Sequence, residues 1–502
     1  MKIQYVLMMC GLLSLASCVD DESTHATSPI SEITIEEGSV KERYDINKNE
    51  VLTIRPRCRQ TNRQKTLSYT WEIDQKVYSQ GEEFVYTGNR LGSYDCRLIV
   101  ENEDGKAFFP FKLNVNSPYE EGITVLSCDP QGKSMLSFML KQLDGSVEDH
   151  FEDGDCFAVN NPDMKLASNA SDMMQCGGNL IISCKGGGAD GSSSAVYYLN
   201  EKTFVMQNYI DASEYPGFKP VKLAIPNVSS AGISYPILCE DGSVYELSVS
   251  EGVIIPSIKL KFQYAPTCAV HTSEGVGRFT LLFWDETNGG LCQIMNGYGP
   301  YFCSREYLIS VDKLNESNNY FNGRQFVAMF MPRVPQEFVK TESPDIWVIT
   351  KGSSGTIHHK VQLRANFWVS DVQTGQSSLV DNGGNKVCAF VTPKFHAQSP
   401  HVASRLYYTL FFSEDNNVYA WNYTTSQRLE QAKVYCSPGT AQAVVTSMEL
   451  SEDQQELFVA FYEPEESGLN GHVWVYDTQE GRLLRKYDNV CYRPVKIMYK
   501  KK

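Results

Sequence analysis

Six carboxylates crowd one short stretch, Asp144, Glu148, Asp149, Glu152, Asp153 and Asp155, with His150 among them. Hard oxygen ligands this dense are what calcium takes, and Asp149, Asp153 and Asp155 are the nearest candidates. The order lacks the Asp-x-Asp-x-Asp-Gly run of a calcium loop, so a solvated loop accounts for it better and no metal is assigned. His358 and His359 are adjacent; on a strand they point to opposite faces and cannot readily share one ion. The glycine run Lys185-Gly186-Gly187-Gly188-Ala189-Asp190-Gly191 has the look of a phosphate cradle, but no helix follows to supply a dipole, and a hairpin loop fits better. Gly-x-Ser-x-Gly, His-Glu-x-x-His, a Walker loop and zinc-ligand spacing are all missing. No convincing pair of carboxylates presents itself for glycoside hydrolysis. The expectation is a chain without catalytic residues and without a cofactor.

Residues suited to binding stand in two long insertions. Tyr298, Tyr301, Phe302 and Tyr307 surround Arg305, and Tyr320, Phe321, Asn322, Arg324 and Gln325 offer a similar mix. Aromatic faces suit sugar rings and catecholates, while arginine suits carboxylates and anionic iron chelates. Trp284, beside Asp285 at a strand-turn edge, is a weaker candidate of the same kind. The alternative for all of them is aromatic core beneath long loops.

The elements that would carry such a site begin with an address. The run Ile3 to Leu15, preceded by Lys2 and followed by small residues, is too short to span a bilayer and reads as a secretory signal over residues 1–18. Leu15-Ala16-Ser17-Cys18 resembles the lipobox of bacterial lipoproteins, which implies lipidation of Cys18 and a membrane-anchored mature chain. Val19, Asp20, Asp21 and Glu22 open an acidic tether over residues 19–29. They sit where Bacteroidetes lipoproteins carry a surface-export signal, so the resemblance implies an outer-membrane protein facing the cell exterior. A solvated tether without an address is the plainer alternative.

A formal charge of -15 over 502 residues gives no electrostatic reason to bind a polyanion, and nucleic acid is excluded as a partner. The length calls for two or more domains. Of fifteen cysteines, Cys10 leaves with the signal and Cys18 carries lipid; the rest show no paired spacing and read chiefly as small core residues.

Residues 30–117 read as a β-sandwich. Leu52, Ile54, Pro56 and Cys58 share one phase of a period-two alternation, Tyr69, Trp71 and Ile73 another, and Tyr94, Cys96, Leu98 and Val100 a third. A tryptophan followed by Tyr94-Asp95-Cys96 looks like the immunoglobulin arrangement, in which a tyrosine precedes the second cysteine by two positions. On that resemblance Cys58 and Cys96 face each other across the core, either as a disulfide or as two thiols. The same stretch, with Tyr69-Thr70-Trp71-Glu72 and Leu98 through Gly105, resembles the PKD-like domain of Bacteroidetes lipoproteins, which implies a spacer or docking module.

Residues 118–502 repeat an apolar strand, a polar turn and an apolar strand. The units fall at Ile123 to Leu140, Asn179 to Phe204, Tyr235 to Val249, Arg278 to Met295, Asp345 to Asp371, Arg405 to Tyr423 and Glu456 to Tyr476. About seven units at this spacing predict a seven-bladed β-propeller and, with the sandwich, an all-β chain. Ser451 through Ala460 followed by Val473 through Gly481 resembles the YVTN-type, WD40-like repeat, and Phe367 through Gly375 echoes its second half. Ser413-Glu414-Asp415-Asn416-Asn417 resembles the Asp-box turn of sialidase propellers, a structural feature there, with Asn417 where glycine belongs. Arg493 through Tyr499 has no blade after it and is expected to complete the first blade, leaving no exposed edge.

Anchor, spacer and propeller together resemble the accessory lipoproteins of Sus-type uptake systems. That implies capture of a glycan, peptide, ferric siderophore or other small-molecule ligand for a TonB-dependent transporter and its lid lipoprotein, at the ring face and channel mouth. The alternatives are a glycan-degrading propeller enzyme and a structural or adhesive surface protein.

Overall fold

The computed structural model describes residues 30–141, 150–151, 154–215, 217–223, 234–248, 252–259, 280–285, 290–295, 308–310, 324–333, 345–352, 357–364, 368–371, 376–378, 386–389, 395, 399–424 and 432–501. Among them the chain is almost entirely β-strand, with one helical turn at Cys156–Asn160. No helix among them is long and apolar enough to cross a membrane. The chain divides into two compact units, Met1–Asn116 and Ser117–Lys502.

The first unit carries a five-stranded sheet, with Arg43–Asn47, Gly105–Asn116, Gly92–Asn102, Ser68–Ile73 and Lys76–Gln80 side by side. Short pairs form at Ile33–Ile35 with Cys58–Gln60 and at Val51–Ile54 with Phe84–Thr87. Alternation dictates which residues meet: Cys96, Leu98 and Val100 are buried with Phe111, Leu113 and Val115 from the paired strand. Trp71 has no exposed surface and lies against Phe84 and Phe111, with ring centroids 5.0 and 6.1 Å away. Its indole N–H donates to the Gly81 carbonyl at 3.0 Å, so the large apolar side chain is buried without an orphaned donor; truncating one such side chain to alanine costs about 3 to 5 kcal/mol. The Tyr94 hydroxyl donates back to the Arg90 carbonyl at 2.7 Å, the corner that the Tyr94-Asp95-Cys96 resemblance implies.

One detail differs from expectation, and one open question is answered. The strand of Leu52 and Ile54 ends before Pro56, which has no N–H to donate to a ladder, and Cys58 opens a separate strand paired to Ile35. Of the two states open for Cys58 and Cys96, the structure holds free thiols. Cys96 is buried, and burial pushes its pKa up to about 12; burial also raises that of Cys58.

In the second unit all seven expected hairpins form, each between consecutive antiparallel strands: Gly122–Cys128 with Ser134–Leu140, Asn179–Cys184 with Ala195–Asn200, Ser234–Cys239 with Ser243–Ser248, Thr280–Asp285 with Gly290–Met295, Asp345–Gly352 with Ile357–Arg364, Thr409–Glu414 with Asn417–Asn422, and Glu456–Tyr462 with Gly471–Asp477. Most grow into four-stranded sheets, while the sheet of Thr280–Asp285 shows three strands among the described residues. Trp368–Asp371, expected to continue the hairpin begun at Asp345, instead pairs with Gln376–Ser378 as a sheet of its own. The glycine run is a hairpin loop between Asn179–Cys184 and Ala195–Asn200, with Gly186, Gly187 and Gly191 at positive φ. Asp415, at φ 52°, turns the Asp-box-like hairpin.

The final strand Arg493–Lys500 pairs antiparallel with Gly122–Cys128 and completes the sheet of the first hairpin, as expected. Lys500 is buried there, its ammonium donating to the Glu120 carbonyl, and desolvation lowers its pKa to about 8. Between pH 8 and the ordinary lysine value the unfolded chain holds a proton that the folded chain does not, so stability rises with pH across that window. Relative to Lys500→Met, the wild-type chain should gain roughly 3 kcal/mol of unfolding free energy from pH 7 to pH 10, read from urea transitions. Equal slopes in the two proteins would show that Lys500 keeps an ordinary pKa.

Candidate functional site

In each four-stranded sheet of the second unit one edge strand leads, and leading strands of successive sheets neighbour one another. Val444–Leu450 lies beside Arg493–Lys500, which lies beside Ala170–Cys176, which lies beside Pro220–Leu223. His401–Ser404 neighbours Val444–Leu450, and a parallel bridge joins Arg333 to Ser404.

Several leading strands break register once. The breaks fall between Ala170 and Asp172, Pro220 and Lys222, Phe326 and Ala328, and Val445 and Ser447, and on the last strand between the residues opposite Leu126 and Ser127, Lys496 and Pro494. An extra residue bends a strand, increases its twist and re-aims the side chain next to it. It also leaves ladder groups to be satisfied elsewhere. The Asp172 Oδ2 accepts the Leu223 N–H at 2.9 Å, and the Ser447 Oγ accepts the Ile497 N–H at 3.0 Å. The same position thus laces one leading strand to the next in two places.

Lysine fills that position twice. Pro220-Val221-Lys222-Leu223 recurs as Pro494-Val495-Lys496-Ile497, and both copies bulge at the valine. The strand of Asp172 lies between them. Lys222 Nζ stands 3.6 Å from Asp172 Oδ2, with a quarter of the lysine side chain and 5% of the aspartate side chain exposed. Asp172 draws the Lys222 pKa up, but the charge of Lys496 and burial outweigh it and leave Lys222 below the ordinary lysine value. His401 faces both lysines and packs edge-on to Phe395 and Phe330. Its Nδ1 lies 2.9 Å from the Ser399 carbonyl; a carbonyl only accepts, so Nδ1 carries the proton. Burial and the lysine charges hold the imidazole below its usual pKa against the Ser399 and Met329 carbonyls, which keeps it neutral at pH 7. Among the described residues two lysines and one aspartate give the cluster a formal excess of one positive charge, with a quarter of the Lys222 side chain exposed, an arrangement that attracts anions.

A second charged cluster is balanced. Arg333 donates to Glu449 at 2.7 Å, to Glu452 at 3.0 Å and to the Leu450 carbonyl, and Lys501 pairs with Glu452 at 3.0 Å. Gln454, fully buried, accepts from Ser404 Oγ at 2.6 Å and donates to the Arg333 carbonyl at 2.9 Å. Every one of these charges has a partner, and the cluster ties four strand ends together.

The residues singled out from sequence fall elsewhere. Cys18, Asp149, Asp153, Tyr298, Tyr301, Arg305, Tyr307 and Tyr320 lie outside the described residues, as do Phe302, Phe321 and Asn322. Trp284 stands on Thr280–Asp285 opposite Leu291, and Arg324 opens Arg324–Phe330 opposite Gly352; their side chains lie outside the description. Asp155 caps the helical turn, accepting from Phe157 N at 3.0 Å and from Leu136 N at 3.3 Å. Burial raises its pKa against those bonds, so its place is that of a buried cap. Among the described residues no group of three or more His, Cys, Asp or Glu side chains could hold a metal ion. The lysine pair was missed, although the repeated Pro-Val-Lys followed by Leu or Ile was a signal available in the sequence.

No protein-family model matches the chain, and no curated protein matches it. Among solved structures it is similar to a quinonprotein alcohol dehydrogenase-like protein from Bacteroides thetaiotaomicron, at 15% identity over 94% of this chain and 100% of that one, with TM-score 0.49. It is similar to a periplasmic gluconolactonase from Pseudomonas aeruginosa, at 11% identity over 76% of this chain and 98% of that one, with TM-score 0.44. A DUF4784 family protein from Bacteroides caccae aligns at 9% identity over 93% of this chain and 98% of that one, with TM-score 0.26. Likenesses this distant say nothing about activity.

If Asp172 separates two like charges, removing it costs more than removing one of them. Asp172→Ala should lower stability by about 3 kcal/mol at pH 7, because it leaves two ammoniums facing each other and the Leu223 N–H without its acceptor. Lys496→Met should raise stability by on the order of 1 kcal/mol, since Lys222 then keeps its counterion alone. Urea transitions of the three proteins measure both signs; a neutral Asp172→Ala would show that the cluster does not form.

Proposed function

We propose that the chain is a lipid-anchored outer-membrane protein of the cell surface, in which a PKD-like sandwich spaces a seven-bladed propeller from the membrane. The propeller captures a small nutrient ligand for a TonB-dependent transporter and its lid lipoprotein without turning it over. The observation that carries this reading is the convergence of Lys222, Asp172, Lys496 and His401 from four leading strands, with a quarter of the Lys222 side chain exposed. In a propeller, leading strands surround the axis, where ligands of this architecture are met by convergent side chains. A tether and spacer hold such a site near its transporter and raise its effective concentration there.

Two measurements test the two halves. Metabolic labelling with a fatty-acid analogue should mark the wild-type chain in the membrane fraction, and Cys18→Ser should abolish the label and release the protein; an unlabelled wild type removes the anchor from the reading. Calorimetry of the chain from Ser28 onward against glycans, peptides and ferric siderophores should find a ligand, and mass spectrometry should recover it unchanged. Product formation would make the chain an enzyme, and failure to bind any of these classes would end the capture reading.

A further inference from the structure

The lysine pair also bears on what is captured, and this inference rests on the capture reading above. Lys222 and Lys496 reach the site by the same tetrapeptide pattern and the same bulge, on the two strands that flank Asp172. The aspartate is already engaged: one oxygen, Oδ2, takes the Leu223 N–H at 2.9 Å and faces Lys222 at 3.6 Å. It belongs to the backbone lacing as much as to the lysines, and among the described residues one carboxylate serves two lysines. In a chain whose formal charge is -15, a local cationic surplus on mostly buried strands is a specific feature. A hydrophobic residue at either position would avoid the like-charge contact.

We infer that Lys222 and Lys496 together bind the carboxylate of a small ligand, its two oxygens bridging the two ammoniums. The charge count favours this chemistry. A monoanionic carboxylate brings the cluster of two ammoniums and one aspartate to neutrality, whereas a phosphate dianion would overshoot and leave a partly buried negative charge. Charge-assisted hydrogen bonds of this kind are the strong ones, and two oxygens set at a fixed separation match two donors better than one point charge does. His401, neutral and wedged between Phe395 and Phe330, leaves the anion to the lysines.

The test titrates the chain from Ser28 onward with acetate, D-galacturonate, D-galactose and inorganic phosphate, at constant ionic strength, by calorimetry and thermal shift. D-galacturonate and D-galactose differ at one carbon, carboxylate against hydroxymethyl. The carboxylates should bind, with D-galacturonate at least ten-fold tighter than D-galactose. Lys222→Met and Lys496→Met should each weaken that binding about ten- to a hundred-fold, while Lys496→Arg retains it and the exposed Lys433→Met leaves it unchanged. Circular dichroism before titration separates lost binding from lost folding, and Lys496→Arg keeps the question open should either methionine variant unfold. Phosphate binding tighter than both carboxylates would overturn the carboxylate assignment. Absence of carboxylate binding to the wild type overturns the inference, while a neutral glycan or peptide bound equally by the wild type and Lys496→Met leaves capture standing and removes the anion site. Silence towards every class defeats both.

Discussion

The second unit depends on the antiparallel pairing of its two ends. Gly122–Cys128 lies in a sheet whose edge, Arg493–Lys500, comes from the far end of the unit in sequence. Until that strand docks, Gly122–Cys128 offers an unpaired ladder, and Val444–Leu450 and Ala170–Cys176 lack the neighbour that packs between them. Ile123, Val125, Ile497 and Tyr499 then share one core with Phe458, Val473 and Val475 from the preceding sheet. This is a long-range contact by any measure of sequence separation, so its chain-entropy cost falls late in folding. It also decides whether Lys496 arrives beside Lys222 at all.

The bulges explain how that centre coexists with close packing. A regular leading strand would present alternate residues to the two sheets it separates, and a lysine there would be stranded in apolar surroundings. One extra residue breaks the alternation and turns Asp172, Lys222 and Lys496 away from the packed faces. The backbone groups left over are recovered by side chains from the neighbouring strand, Asp172 to Leu223 and Ser447 to Ile497. A polar residue at the bulge therefore serves two purposes, lacing and lining. Lysine serves only the second, because it has no acceptor, and this is why its appearance at two such positions asks for an explanation beyond stability.

The hairpins were legible because the two middle strands of each sheet are regular. Their apolar runs and Gly, Asn or Asp turns survive intact in the sequence, as at Asp415 and Gly242. The closing strand was legible for the same reason: Arg493 through Tyr499 keeps a strand pattern, and it pairs with Gly122–Cys128. The leading strands were harder, since a bulge shifts the alternation by one and erases the period-two signal. Lys496 was consequently read as part of a closing strand, and Lys222 was passed over inside a short one. Trp368–Asp371 shows the opposite error, in which a good local echo of a repeat was taken for a place in the sheet that other strands fill. Asp155 shows how composition misleads: a carboxylate in an acidic run is bound to the backbone of a helical turn, and its neighbours in sequence have no bearing on that role.

The two charged clusters of the second unit are best understood by their difference. Around Arg333, two cations meet two carboxylates, a buried glutamine is satisfied on both sides, and the strand ends are held by bonds that leave no charge unmatched. A scaffold needs nothing more. Around Lys222 the count does not close, and the mismatch depresses a lysine pKa where water has only partial access. Apolar residues at both lysine positions would pack without that penalty, and a second aspartate would balance it. Among the described residues this cluster keeps one formal charge unmatched within an otherwise well-matched array, and it is this charge that the proposed ligand would balance.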